Sequence, residues 1–142
     1  MKDTELKAAR DRDLFLSYQK ALRSNDFRNQ WEAIEYIRTH PAPRFYISPK
    51  SCSLLLGKIF AHLPVDRLNE LSFKRIKELE RLYRSFVNDL GGAMKGMSRE
   101  KICEIIIDMP APEFYVTHRY ASQIIRREIN RHNRKLASRI VK

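Results

Sequence analysis

Apolar side chains recur every three or four residues along most of the chain, the period of a helix that buries one face. Leu6, Ala9, Leu14, Tyr18 and Ala21 or Leu22 mark the first such face, with Thr4 as its cap. Trp31, Ile34 and Ile37 mark a second, and Ile102, Ile105, Ile106 and Met109 repeat the pattern further on. Between them, Ile76, Leu79, Leu82 or Tyr83, Phe86 and Leu90 line a longer helix that Ser72 can cap and Gly91-Gly92 stops. Ala121, Ile125, Ile129, His132, Leu136 and Ile140 line the last. The pattern predicts an all-α fold of six helices, at 4–24, 26–39, 49–63, 67–90, 98–109 and 118–140. At this length they form one compact domain over residues 1–142. Residues 91–98 are the candidate hinge, where the two glycines end one helix and Ser98 with Glu100 starts the next.

The punctuation between helices is duplicated. PAPRFYIS at 41–48 returns as PAPEFYVT at 110–117, and five of the eight positions are identical. The repeating unit is a helix, a PAPxFY turn and a helix, over about 26–63 and again over 98–140. Proline lacks the N–H of the helical ladder and pushes the residue before it out of the α region, so each PAP segment ends the preceding helix. Ser48 and Thr117 are natural N-caps, and Pro49 fits the first helical position. Phe45-Tyr46-Ile47 and Phe114-Tyr115-Val116 favour an extended backbone. Two readings follow for these runs: a short two-stranded antiparallel ribbon, or aromatic plugs at two helix corners.

Charge changes the picture from fold to partner. The chain carries 28 Lys+Arg against 17 Asp+Glu, a net charge of +11. Residues 118–142 hold eight of the basic side chains and one of the acidic ones, so most of the excess sits in the last helix. There Arg126, Arg127, Arg131, Arg134 and Lys135 fall on or toward the side opposite the apolar stripe. Guanidinium groups on a stiff helix can neutralise successive phosphates, and they bind phosphate oxygens through two parallel hydrogen bonds. Arg119, Gln123 and Asn130 add groups that can read base edges, arginine toward guanine and the amides toward adenine. The aligned helix of the first copy offers Pro49, Lys50, Leu54, Gly57, Lys58 and Ala61, a set suited to packing. The expected function is nucleic-acid binding, to DNA more than RNA, in a helix-turn-helix-like unit contacting its partner through Arg119, Gln123, Arg126, Arg127, Asn130, Arg131, Arg134 and Lys135. The alternative is a non-enzymatic structural or adaptor component of a bacteriophage particle or mobile element, whose basic helix meets an acidic protein surface or a packaged genome. In a homodimer the two contact helices are expected about 34 Å apart.

Other chemistries lack their residues. Cys52 and Cys103 form neither a disulfide framework nor a metal cluster, and the four histidines show no metal-ligand spacing. The segment 91–96 lacks the spacing and the Lys-Ser/Thr ending of a phosphate-binding loop. His118-Arg119-Tyr120 places a phenol beside basic groups, yet adjacency in sequence does not bring several cations onto one phosphate. The chain is therefore expected to act without cofactor or metal and not as an enzyme. No apolar run approaches the ~18 residues of a membrane span, and the charged start MKDTELKAARDRD is unlike a signal peptide. A cytoplasmic, nucleoid-associated or virion-associated location is expected, without a membrane partner.

Overall fold

The fold was described from a computed structural model covering residues 2–65, 68–94 and 96–141. Six α-helices make it up: α1 (Asp3–Ser24), α2 (Gln30–Arg38), α3 (Pro49–Phe60), α4 (Glu70–Leu90), α5 (Arg99–Ile106) and α6 (His118–Val141). A 3₁₀ turn, Gly91–Met94, follows α4. Among the described residues there is no strand, and no helix is long and apolar enough to cross a membrane.

Side-chain caps set several helix starts. Asn29 accepts from the Glu32 amide, Ser48 from Ser51, Asn69 from Ser72, Ser98 from Lys101, and the Thr117 hydroxyl from Tyr120. Asn69, and not Ser72, is the cap of α4, and α1 begins at Asp3 after Lys2, one residue before Thr4. The expected start of the fourth helix at 67 and the Lys95 position of the candidate hinge lie outside the described residues. Gly91 closes α4 with φ +50°, a left-handed geometry that glycine adopts without a Cβ clash. Helices α2, α3 and α5 are shorter than the apolar pattern suggests. Apolar positions such as Met109 continue past the last helical turn, packing against the core from the following loop.

The core gathers at the two PAPxFY turns. Ala42 and Ala111 exchange backbone hydrogen bonds of 2.9 and 3.0 Å in a single antiparallel bridge. No ribbon extends from it: the next rungs of an antiparallel pair would join residue 40 to 113 and 44 to 109, and the chain turns away instead, with the Phe45 N–H donating to the Ile107 carbonyl at 2.9 Å. The FYI and FYV runs instead place their rings in the core. Phe45 stacks on Tyr115 and Tyr46 on Phe114, each at 6.1 Å between ring centroids. Tyr46 also donates its hydroxyl to Asp13 Oδ2 at 2.6 Å, and burial with that carboxylate raises its pKa. Burial, more than any other cause, pushes the Tyr115 phenol up to about 12.

Burial recurs at the 69-residue offset of the sequence repeat. Ala33, Ile34 and Ile37 on α2 answer to Ile102, Cys103 and Ile106 on α5, and Cys52 and Leu56 on α3 answer to Ala121 and Ile125 on α6; all ten are buried. Packing is exchanged between the units: α3 lies on α5 and α6 lies on α2, with α4 against the first pair and α1 against the second. Cys52 and Cys103 are free thiols that meet at the α3–α5 contact.

Candidate nucleic-acid interface

The last helix changes character halfway along. In its first turns Ala121, Ile124 and Ile125 are buried, while Ile129 packs partly against the core. From Asn130 to Arg139 every residue is exposed. At 1.5 Å per residue, the part beyond Ile129 projects roughly 18 Å. The stripe through His132 and Leu136 is therefore uncovered, and Leu136 is 43% exposed. The Ile140 side chain lies outside the described residues. Residues 130–141 contain neither glycine nor proline, so nothing in the backbone halts the helix where its packing stops.

Two elements fix the base of α6. On one side Asp11 of α1, only 4% exposed, accepts from the Tyr120 hydroxyl at 2.8 Å and lies 3.4 Å from Arg127 Nη2. Beside it Arg10 sits over the Tyr120 ring, 4.7 Å from its centroid. On the other side Glu35 of α2 meets His118 Nδ1 at 2.8 Å and Arg38 Nη2 at 2.7 Å, and Arg38 also donates to the Val116 carbonyl. The Arg38 hydrogen bond, reinforced by its charge and by His118, holds the Glu35 carboxyl below its ordinary pKa despite burial. Asp11 and Glu35 gave no sign in the sequence of holding the last helix, since their partners lie 109 and 83 residues away.

The eight residues expected to contact nucleic acid divide into a row of five, a pair turned toward α1, and Lys135 by itself. Arg119, Gln123, Arg126, Asn130 and Arg134 are all exposed and fall within about 80° of arc around the helix axis. They form one row, about 22 Å from first to last. No carboxylate among the described residues pairs with its three arginines. Arg127 and Arg131 turn toward α1 instead, each 3.4 Å from Glu128 Oε1, and there they share a groove with Lys7, Arg12 and Asp11. Lys135 is exposed and lies about 160° round the helix from Arg119. Glu128, the single acid of the segment, thus tempers the α1-facing side and leaves the row untouched.

Beside the row, α2 and α6 enclose an open groove of about 600 Å³. Trp31, His118, Arg119, Ser122, Gln123 and Arg126 line it. Trp31 was expected on the apolar face with Ile34 and Ile37; it is 60% exposed. The reason is geometric. The buried arc of α2 is set by Ala33, Ile34 and Ile37, and a residue at position 31 lies about 110° from its centre. Trp31 therefore belongs to this surface, a role that spacing alone did not reveal. Comparison with family models, curated proteins and solved structures returned no match.

Proposed function

We propose that the chain binds nucleic acid, DNA in preference to RNA, through the solvent face of α6. One observation carries this reading: three arginines with no acidic partner among the described residues and two amide side chains share the exposed face of α6, three of them on the packed half of the helix and two beyond it. A bare helix of this kind fits the major groove of B-form DNA, whereas the A-form major groove is too narrow for side chains to read. Arginine and the Gln123 and Asn130 amides supply phosphate and base-edge contacts from the same surface.

The testing experiment is a fluorescence-anisotropy titration with random duplex DNA, single-stranded DNA and structured RNA at two salt concentrations. Salt-sensitive binding at micromolar or tighter, strongest for a DNA form, is the expected result. Absence of binding at low salt overturns the reading. A second reading, contact with an acidic protein surface as an adaptor, is favoured by Leu136, which leaves an apolar side chain on the projecting end of the same helix.

A further inference from the structure

We infer that Trp31 is a stacking platform for an unpaired nucleobase, on a strand whose phosphates follow the arginine row of α6. The inference rests on the nucleic-acid reading above and names the form of nucleic acid the groove accepts.

Trp31 is the only tryptophan in the chain, and leaving most of so large an apolar ring in water forgoes stabilisation that burial would supply. Its position is nevertheless built. The indole lies against the His118 ring, with centroids 4.8 Å apart, and His118 is held by Glu35, which is held by Arg38. The ring thus has a backing fixed by a chain of hydrogen bonds while its remaining surface faces the groove. Around it, Arg119 and Arg126 contribute positive charge, Ser122 and Gln123 contribute hydrogen-bonding groups, and no carboxylate among the described residues lines the groove.

An aromatic ring flanked by cations is the combination by which proteins hold single strands: the ring takes a base face and the cations take the adjoining phosphates. Every base has such a face, but in a continuous duplex both faces are covered by neighbouring pairs. The occupant is therefore an unpaired base, in a single strand or in a single-stranded overhang next to the duplex that α6 contacts, and not a base of the blunt duplex. The row continues past the groove through Asn130 to Arg134, which favours an extended polyanion over a compact acidic ligand.

The single tryptophan makes the test direct. The intact protein is titrated with a short single-stranded oligonucleotide, an abasic strand with the same number of phosphates, a blunt duplex and a poly-glutamate peptide, following tryptophan emission and anisotropy. The base-bearing strand should quench the emission and bind more tightly than the abasic strand. Trp31→Ala should weaken strand binding about tenfold, as expected for loss of one stacked base, while the slope of affinity against salt stays unchanged because no charge is removed. Trp31→Phe should retain most of the affinity, and circular dichroism should match the wild type for both variants. Equal binding of the base-bearing and abasic strands, an unaltered affinity in Trp31→Ala, or equal quenching by poly-glutamate would overturn the inference. Salt-sensitive duplex binding with no effect of Trp31→Ala would sink the stacking role alone. Failure of every nucleic acid to bind would sink the underlying reading as well.

Discussion

The α3–α5 corner and the α6–α2 corner are built from equivalent positions and end in opposite surfaces. At both, a PAPxFY turn delivers a hydroxyl-capped helix onto the partner unit's short helix. In the first, Arg99 of α5 lies across α3: its Nε donates to Ser53 Oγ at 3.2 Å, and its guanidinium occupies the space above Gly57. In the second, the position equivalent to Gly57 is Arg126 and the position equivalent to Arg99 is Gln30. In the first corner the arginine stands on the helix that covers the groove, in the second on the helix that forms its wall, and there the groove is open. The α3 helix then stops at Phe60, where His62 at φ +58° reverses the chain before Pro64, whereas α6 runs on to Val141. Similar cores therefore support one closed corner and one corner with a free cationic row. Surface chemistry can diverge completely while the buried positions stay matched, because only the latter are constrained by packing.

The largest effects are expected where the two corners agree. Phe45→Ala and Phe114→Ala each remove a buried ring of the stacked pairs, and each should lower unfolding free energy by about 3–5 kcal/mol in denaturant melts. A markedly cheaper loss at one of the two would break the equivalence of the turns. Next comes the Asp11 anchor of the second corner. Asp11→Ala leaves the Tyr120 hydroxyl without its acceptor and Arg127 without a partner on α1, at a cost of about 1–3 kcal/mol. Thermal melts of this variant beside Asp13→Ala would show whether the Tyr46 contact, its counterpart at the other corner, is worth as much.

A smaller effect is expected from pH. The Glu35 carboxyl titrates below its ordinary value of 4.5 in the folded chain, chiefly because of Arg38. Folding therefore favours its ionised form. Its contribution is fully present above the ordinary value and is lost as pH falls through the folded one. The Tm of the wild type should accordingly exceed that of Glu35→Gln at neutral pH, with the gap narrowing as pH drops below 4.5; a constant gap would contradict the ion-pair account. Least is expected from Gly57→Ala. The new Cβ would meet Arg99 Nη2 at 2.6 Å, the mobile tip of a side chain that can swing aside. The gain in helix propensity is up to about 1 kcal/mol, so the net change in Tm should be small and the fold retained.

Much of this architecture is legible in the chain because it is written in local chemistry. Proline pairs mark the turns, Ser48 and Thr117 mark the helix starts that follow, and the period of the apolar residues gives six helices. What local pattern cannot give is the identity of the neighbour. Ile34 and Trp31 share a spacing, yet three residues advance a helix by 300° and not a full turn, so one is buried and the other is not. Leu136 continues the stripe of Ile125, but whether a stripe is covered depends on the length of the helices beside it. Arg127 and Arg131 read as equals of Arg126 until Glu128 and Asp11 are placed beside them. Of the candidate interface, the row from Arg119 to Arg134 was readable in sequence; the tryptophan and the Glu35 and Asp11 supports needed long-range contacts.

The central claim is that the open corner, and not the closed one, carries the partner-binding charge. It is tested most directly by measuring salt-dependent duplex DNA binding of an Arg119→Ala, Arg126→Ala, Arg134→Ala variant beside a Lys50→Ala, Lys58→Ala variant that removes exposed charge from α3. The account predicts that the first variant loses up to roughly 0.9 units of logarithmic salt slope for each phosphate contact removed, while the second binds like the wild type. Equal losses in both variants, or no loss in the first, would contradict it.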